Sequence, residues 1–292
     1  MKNNIIRKIV FKIRDLFLPK HIGKESYLYI QNKIQSDSPL MVARFGAVEI
    51  KAVLYAILPP PPFCKILRKY TYKCMRNNAG FFPVNDDSLK RFAKLMLQDM
   101  KEVDILASWR PEEIFFRKQL HDAFKISLAD LWPSTDRDYW SKTLKGKKIL
   151  VIHPFADSIQ SQYIQHRDKL FPNELILPEF KSLETIKAVQ TIAGNEAGFS
   201  SWFEALEYME TEIKKKDFDI ALLGCGAYGF PLAAYIKRMG KKAIHIGGTL
   251  QLNFGIKGKR WKHYPFYNEY WTEPLKDEKP KNLDKVEGGC YW

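Results

Sequence analysis

The sequence has few cysteines, no long apolar run and a deficit of acidic residues. Its four cysteines form no C-x-x-C pair and lack a histidine at metal-ligand spacing: Cys64, Cys74, Cys225 and Cys290. This excludes a disulfide framework and a zinc site, and we expect reduced thiols in a cytoplasmic protein. No apolar run reaches about 18 residues, and the N-terminus lacks the apolar core of a signal peptide, so no membrane span is expected.

The charge balance points to an anionic partner. The chain carries 47 Lys and Arg against 33 Asp and Glu, which gives a formal net charge of +14. Nucleic acid, acidic lipid headgroups and phosphorylated substrates all fit such a charge. Aromatic residues are dispersed, with neither an alternating basic and aromatic strand nor zinc-finger spacing, so we predict no nucleic-acid partner.

Length and periodicity predict an α/β protein. The chain has 292 residues, of which 46% are hydrophobic, enough for a large core. Short apolar runs alternate with helical patterns, which predicts a mostly parallel, doubly wound, Rossmann-like sheet. We place the predicted strands at residues 40–45, 103–108, 149–153, 175–178, 219–223 and 242–247. One domain is predicted over residues 21–275, followed by a polar tail over 276–292. We expect residues 277–284 to be mobile, and the apolar residues 290–292 offer the alternative of docking back on the domain.

The first 20 residues predict a basic amphipathic helix. Apolar residues recur there at helical spacing between cations, and Pro19 ends the pattern. Such a helix is a candidate for lying on an anionic membrane, here the inner face of the plasma membrane. The basic, aromatic stretch 257–271 would add a second contact. The alternative is an ordinary helix packed on the domain.

A glycine motif follows the predicted strand 219–223. Gly224, Gly226 and Gly229 form G-x-G-x-x-G before a helix, where free N–H groups and the helix dipole would face a phosphate, with Tyr228 beside them. The alternative is a tight turn without a ligand. The next strand ends near His245 and lacks the acidic residue that would hold a ribose, so nicotinamide and flavin cofactors are disfavoured.

Three further loops carry polar groups after predicted strands. In the first, Arg44 would clamp a phosphate and Glu49 would bind a metal or a sugar hydroxyl, unless the two form a pair that caps a helix. The second offers Asp157 as a general base, with His153 as the alternative, although Asp157 and Ser158 also suit a helix N-cap.

The third loop begins with two glycines and continues with cations. Gly247 and Gly248 follow the strand directly, and Lys257, Lys259 and Arg260 come after them. Glycines between cations predict a loop that folds over an anion. The alternative is a solvated charged surface.

Two segments resemble a known family. Residues 226–247 resemble the C-terminal signature of the GT-D-type glycosyltransferases, long known as a domain of unknown function. Residues 44–49, Arg-Phe-Gly-Ala-Val-Glu, resemble that family's R-[FY]-G-D-G-E segment. The resemblance implies that roughly residues 36–265 share the family's fold. This sequence keeps the Glu of the family's metal-associated D-x-E motif as Glu49, but has Ala47 in place of the Asp.

The resemblance implies a function. Family members transfer a sugar from a nucleoside diphosphate donor in glycoprotein, capsule or O-antigen assembly. We therefore predict hexose transfer from a nucleotide sugar to a hydroxyl of a glycan or lipid-linked acceptor. Mn²⁺ or Mg²⁺ would bind at Glu49, and this binding would be weakened because Ala47 replaces one of the two carboxylates. The cations after Gly248 would neutralise the departing diphosphate. A non-catalytic nucleotide- or glycan-binding protein and a dinucleotide-dependent oxidoreductase are the alternatives.

Overall fold

The computed structural model describes residues 21–58, 65–195, 197–282, 285–286 and 288–292. The predicted membrane-contacting helix of residues 1–20 lies outside the described residues. Among the helices that are described, none combines the length and the apolar character needed to cross a bilayer.

Seven strands form a single parallel sheet, which confirms the predicted fold class. Their order across the sheet is β3-β2-β1-β7-β6-β4-β5, and every neighbouring pair is parallel. The strands are β1 Leu40–Ala43, β2 Ile105–Ser108, β3 Phe124–Ser127, β4 Lys148–His153, β5 Ser182–Lys187, β6 Ile220–Leu223 and β7 Lys242–His245.

In the described part of the chain, eight α-helices connect or cover these strands. They are α1 Lys24–Gln35, α2 Ala47–Ile57, α3 Lys65–Asn77, α4 Asp86–Asp99, α5 Ala156–His166, α6 Trp202–Lys214, α7 Gly229–Arg238 and the single turn α8 Leu250–Asn253. Short 3-10 helices include Pro111–Phe116, Trp140–Leu144, Gly226–Tyr228, Lys259–Trp261 and Lys276–Glu278.

Two hydrophobic cores cover the two faces of the sheet. The helices α2, α4, α6 and α7 pack on one face around Trp202, which is fully buried. The helices α1 and α5 and the C-terminal region pack on the other face around Trp140. The central strands β1, β2 and β6 are buried along their whole length, as expected for a parallel sheet covered on both sides.

The sequence analysis missed both edge strands. β3 is only partly buried, and β5 mixes exposed and partly buried positions, so neither shows the continuous apolar run of a central strand. The strand predicted at 175–178 is wrong, because Ile176 and Leu177 are core residues of an irregular connection. Residues 111–116 form a 3-10 helix after β2.

The described C-terminal residues pack on the domain, and they include Glu278, which lies in the segment predicted to be mobile. Glu278 is 2% exposed, and its carboxylate accepts hydrogen bonds from the backbone N–H groups of Asp157 and Ser158 at 2.8 and 3.2 Å. It therefore satisfies the start of α5, where free N–H groups favour a negative charge. Val286 and Trp292 are also buried in the core.

The connections of the sheet diverge at its carboxyl edge. From β4 the chain runs through α5 to the edge strand β5, whereas from β6 it runs through α7 towards β7 on the other side. Such a divergence opens a crevice at the carboxyl ends of the strands, the usual ligand position in open α/β sheets. The ends of β1, β7, β6 and β4 border this crevice.

A buried ion pair joins α4 to α7 and predicts a pH-dependent stability. Arg238 donates to Asp99 at 2.7 Å, and Asp99 is 1% exposed. Burial raises the pKa of Asp99 from 3.8 to about 6, against the opposing effect of Arg238. The folded protein therefore holds this proton more tightly than the unfolded chain, and stability falls as the pH rises from about 4 to 6.

We expect the stability of Arg238→Met to keep falling at higher pH than that of the unaltered protein. The reason is that the unpaired Asp99 carboxyl must then either stay protonated or be buried as a charge without a partner. The cost should reach about 3 kcal/mol near neutral pH and be smaller near pH 5. Urea unfolding at several pH values measures it. Lys215→Met, which breaks an exposed pair with Glu212, should cost under about 1 kcal/mol at every pH. Equal pH dependence of the two variants would contradict the prediction.

Candidate functional site

The crevice at the carboxyl edge collects polar residues from distant parts of the sequence. Arg44 follows β1, and Trp109 follows β2. His153 ends β4, Gly224 follows β6, and His245 ends β7. Because parallel strands all end at the same edge, residues far apart in sequence come together there.

Two glycines of the G-x-G-x-x-G motif make room for histidine rings. A Cβ atom at Gly224 would lie 2.5 Å from His153 Cδ2, and one at Gly229 would lie 2.4 Å from His245 Nε2. Gly226 differs, because its φ is +58° and a Cβ there would meet nothing within 4 Å. Gly224 and Gly229 therefore leave room for the two histidine rings. Gly226 adopts the left-handed backbone conformation that the turn requires, and the space beside its Cα is open.

Both histidines are neutral, because each ring is only 2% exposed. Burial lowers the pKa of His153 to about 3, and its Nδ1 accepts a hydrogen bond from the Phe155 N–H at 3.0 Å. Burial, followed by the charge of Arg44, lowers the pKa of His245 to about 3. Neither ring nitrogen of His245 has a hydrogen-bond partner. A group with so low a pKa is a poor general base at neutral pH, which weighs against that role for His153.

Arg44 and Glu49 lie together at the start of α2. Glu49 folds back over Gly46, where a Cβ atom would come within 1.7 Å of its Oε2. Burial lowers the pKa of Arg44, and the negative charge of Glu49 is the strongest opposing influence. The Arg44 side chain passes over Gly247, whose φ is +81°, and its Nε is enclosed without a hydrogen-bond partner. Arg44 and Glu49 therefore interact electrostatically at this helix start, and among the described residues Arg44 Nε has no hydrogen-bond partner.

Trp109 and Arg110 belong to this site, and the sequence analysis missed them. The guanidinium carbons of Arg44 and Arg110 lie 5.1 and 4.9 Å from the centroid of the Trp109 ring. Trp109 Nε1 donates to the Phe45 carbonyl at 2.8 Å, which fixes the ring. Arg110 also forms a bidentate pair with Glu112 at 2.8 and 3.0 Å. Their position directly after a predicted strand was the available signal.

The C-terminus completes the site. The Tyr291 ring lies against Gly248, where a Cβ atom would be 2.3 Å from its Cε1. Arg260 donates to the Tyr291 hydroxyl at 2.9 Å, and its guanidinium lies 4.7 Å from the Tyr291 ring centroid. The positive charges of Arg260 and Arg110 both lower the pKa of Arg44. Three guanidinium groups from three separate loops thus influence one another at this edge.

The structure corrects the roles predicted for Tyr228, Lys257 and Lys259. Tyr228 points into the core, where it stacks on Trp202 with centroids 4.8 Å apart, so it cannot contact a phosphate at the glycine turn. Lys257 and Lys259 lie close enough to Glu273 to affect its pKa. Lys279 lowers the pKa of Glu273 most, and the charges of Lys257 and Lys259 lower it further. Of the three predicted loop cations, Arg260 is the one placed beside Arg44.

Asp157 lies apart from the arginine cluster. It pairs with Lys187 at 3.2 Å, near the end of the edge strand β5. Three strand spacings separate β4 from β1, which is about 14 Å. The N-cap predicted at Asp157 or Ser158 is wrong, because Phe155 holds that position and Ser158 lies in the first turn of α5, hydrogen-bonded to Glu278. Gln162 donates to the carbonyls of Gly255 and Tyr270. The structure thus does not bring Asp157 together with Arg44 and Glu49.

The residues around Glu49 do not fit a resident metal ion. Within the described parts of the chain, no three His, Cys, Asp or Glu side chains come together as a metal-binding group. The Ala47 side chain contributes no oxygen, and the charge of Glu49 acts on the neighbouring cation Arg44. Magnesium and manganese favour several oxygen ligands, which this set does not supply.

Comparisons with known proteins identify similar solved structures. No protein-family model matches the sequence, and neither does any curated protein. A selenomethionine structure of domain of unknown function 1792 is 15% identical, with a TM-score of 0.46, covering 92% of this chain and 96% of that chain. A structure described as a new glycosyltransferase of this domain, from Streptococcus sanguinis, is 14% identical, with a TM-score of 0.39, covering 80% and 82%.

A third structure is described as showing that this domain has a distinct glycosyltransferase fold. It is 16% identical, with a TM-score of 0.44, covering 89% of this chain and 92% of that chain. The likeness is one of chain arrangement, and the chemistry of this site has to be judged from its own residues.

The contact between Gly229 and His245 predicts a coupled effect on stability. We expect Gly229→Ala to cost about 1–3 kcal/mol, because the new methyl group overlaps the buried ring. The same substitution in a His245→Ala background should cost little, since the ring is gone. Urea unfolding of the four proteins gives the coupling energy. Gly226→Ala is the control: it should cost about 1 kcal/mol through its positive φ alone, with no coupling to His245.

Proposed function

We propose that this protein is a glycosyltransferase that uses a nucleoside diphosphate sugar as donor. The observation that carries the proposal is the group of Arg44, Arg110 and Arg260 around the carboxyl ends of β1, β2 and β7. Within the described residues Arg44 Nε is enclosed without a hydrogen-bond partner, and burial lowers the pKa of Arg44, with smaller contributions in the same direction from Arg260 and Arg110. A bound anion of two or more charges would supply the missing acceptor and relieve this repulsion.

The same edge offers backbone donors to that anion. The 3-10 helix Gly226–Tyr228 leads directly into α7, and the side of Gly226 is open. N–H groups at such a start attract phosphate oxygens. We place the diphosphate between this turn and Arg44. A dinucleotide is less suitable, because the strand after the glycine turn ends in His245, next to Arg44, and not in a ribose-binding carboxylate.

The reaction we propose is an ordinary glycosyl transfer. The acceptor hydroxyl oxygen forms a bond to the anomeric carbon of the donor sugar, while the bond from that carbon to the diphosphate oxygen breaks. The bonding electrons leave with the nucleoside diphosphate, whose growing charge the arginines would stabilise. The hydroxyl proton passes to a base. Glu49 is our candidate, because it is the predicted catalytic residue that lies beside Arg44.

The remaining parts of the proposal concern metal, sugar and acceptor. The donor set supports charge neutralisation by arginine, so we propose transfer that proceeds without Mn²⁺ or Mg²⁺. A hexose as the sugar, and a lipid-linked or oligosaccharide acceptor in surface polysaccharide or glycoprotein assembly, follow from the family resemblance. A cytoplasmic protein with a peripheral contact on the inner membrane face would suit such an acceptor.

Nucleotide binding is the first test of this proposal. We expect one of UDP, GDP or CDP to raise the melting temperature, with or without Mn²⁺, and NAD to have no effect. A ligand at a hundredfold excess over its dissociation constant adds about 2.7 kcal/mol of stability. A melting-temperature shift that requires Mn²⁺ would favour the metal site predicted at Glu49. The absence of a shift with every nucleotide tested would contradict the proposed donor.

The binding role of Arg44 has a matched test. We expect Arg44→Gln to weaken the binding of that nucleotide about 10- to 100-fold, because charge-assisted hydrogen bonds contribute about 1.5–3 kcal/mol. Arg137→Gln removes an equal charge from an exposed position in the connection between β3 and β4. Titration calorimetry should show unchanged affinity for that control. Equal weakening of nucleotide binding in both variants would show that the loss of net charge causes it, and not the loss of a contact made by Arg44.

Turnover separates a transferase from a non-catalytic binding protein. We expect Glu49→Gln to bind the nucleotide but to lose about 10²–10⁴-fold in the release of nucleoside diphosphate from its sugar donor in the presence of acceptor. If Asp157→Asn lost this activity and Glu49→Gln kept it, the base would be Asp157. Nucleotide binding without turnover by the unaltered protein would favour the binding-protein alternative.

A further inference from the structure

Exposed apolar side chains cluster at one place on the surface. The described residues include eleven large hydrophobic side chains that are exposed, and five of them fall between positions 57 and 70: Ile57, Leu58, Ile66, Leu67 and Tyr70. Ile66 is 85% exposed and Leu58 is 66% exposed. Scattered exposed apolar residues are normal, but a contiguous group of them indicates an interaction surface.

The helix α3 surrounds these side chains with positive charge. It carries five cations and no Asp or Glu: Lys65, Arg68, Lys69, Lys73 and Arg76. Ile66, Lys69, Tyr70 and Lys73 are spaced i, i+3, i+4 and i+7, so they share one side of the helix. The buried residues Thr71 and Met75 face the domain on the other side. The outward side of α3 is therefore both apolar and cationic.

A basic groove adjoins this side of the molecule. Lys90, Lys94 and Lys101 line it together with apolar residues, among which Ile57 belongs also to the exposed cluster. Acidic residues nearby offset little of this charge. Asp86 pairs with Arg68 at 2.8 Å, and Asp87, which is 98% exposed, lies 4.0 Å from Lys90.

We propose that the outward side of α3, the end of α2 and this groove form a surface that binds anionic phospholipid bilayers. Lysines reach lipid phosphates while their stems and the aliphatic side chains enter the interface, a combination suited to peripheral membrane proteins. Nucleic acid would use the cations but would leave Ile66 and Leu58 in water. This inference goes beyond the proposed transfer reaction and makes no use of Arg44 or its neighbours.

Vesicle binding by the full chain tests this surface. We expect sedimentation with vesicles of phosphatidylcholine and phosphatidylglycerol, and little with phosphatidylcholine alone. Lys69→Gln/Lys73→Gln should weaken this binding roughly 25-fold, since each cation near an anionic surface contributes about fivefold. The control Lys145→Gln/Lys181→Gln removes two exposed lysines outside the proposed surface, and we expect it to weaken vesicle binding much less. Equal weakening by both pairs would overturn the proposal in favour of a general charge effect.

A second pair of variants tests the apolar contribution. Ile66→Asp and Ile164→Asp each place one carboxylate at an exposed isoleucine, since Ile164 of α5 is 72% exposed. We expect Ile66→Asp to lose most of the vesicle binding and Ile164→Asp to retain most of it, with unchanged melting temperatures for both. Full binding by Ile66→Asp, or no binding of the unaltered chain to anionic vesicles, would overturn the proposal. If the α3 variants kept their vesicle binding, the proposal would be overturned, and the membrane contact would be assigned to another basic segment, such as the first 20 residues.

Discussion

The parallel arrangement of all seven strands is the constraint on which the rest of the structure depends. A parallel sheet must be covered on both faces, so the chain builds two cores, around Trp202 and Trp140. It must also return each connection to the same starting edge, which leaves all strand ends together at the opposite edge. Arg44, Trp109 and His245, far apart in sequence, meet there for this reason.

Close packing at that edge gives the glycine motif a meaning other than the usual one. Two of its glycines, Gly224 and Gly229, leave space for neutral imidazole rings, and Gly226 keeps an open side. The His245 ring and Arg44 Nε bring buried polar atoms that have no hydrogen-bond partner within the described residues. Unpaired buried groups cost free energy, so a ligand that hydrogen-bonds to them recovers part of that cost on binding. The site is thus charged, and some of its buried polar atoms lack hydrogen-bond partners within the described residues.

The predictions from sequence succeeded where a pattern is local and failed where it is not. The strand, glycine turn and helix of residues 219–240 could be predicted because apolar runs and helical spacing are local signals. The edge strands β3 and β5 could not, since half-exposed strands lack a continuous apolar run. Trp109 was missed because a contact between an arginine of one loop and a tryptophan of another leaves no spacing in the sequence. The C-terminal residues read as a polar tail because the helix start that Glu278 caps lies 120 residues away.

The amino-acid sequence by itself determined the fold class, the order of the main strands and helices, the net positive charge and the candidate status of Arg44, Glu49 and the glycines. Each of these depends on residue type and near-neighbour spacing. Only the tertiary structure decided which candidates meet. It placed Tyr228 in the core, Asp157 beside Lys187, and Arg260 and Tyr291 at the crevice. The reason is that strand order and packing, which set the distances between loops, arise from contacts across the whole chain.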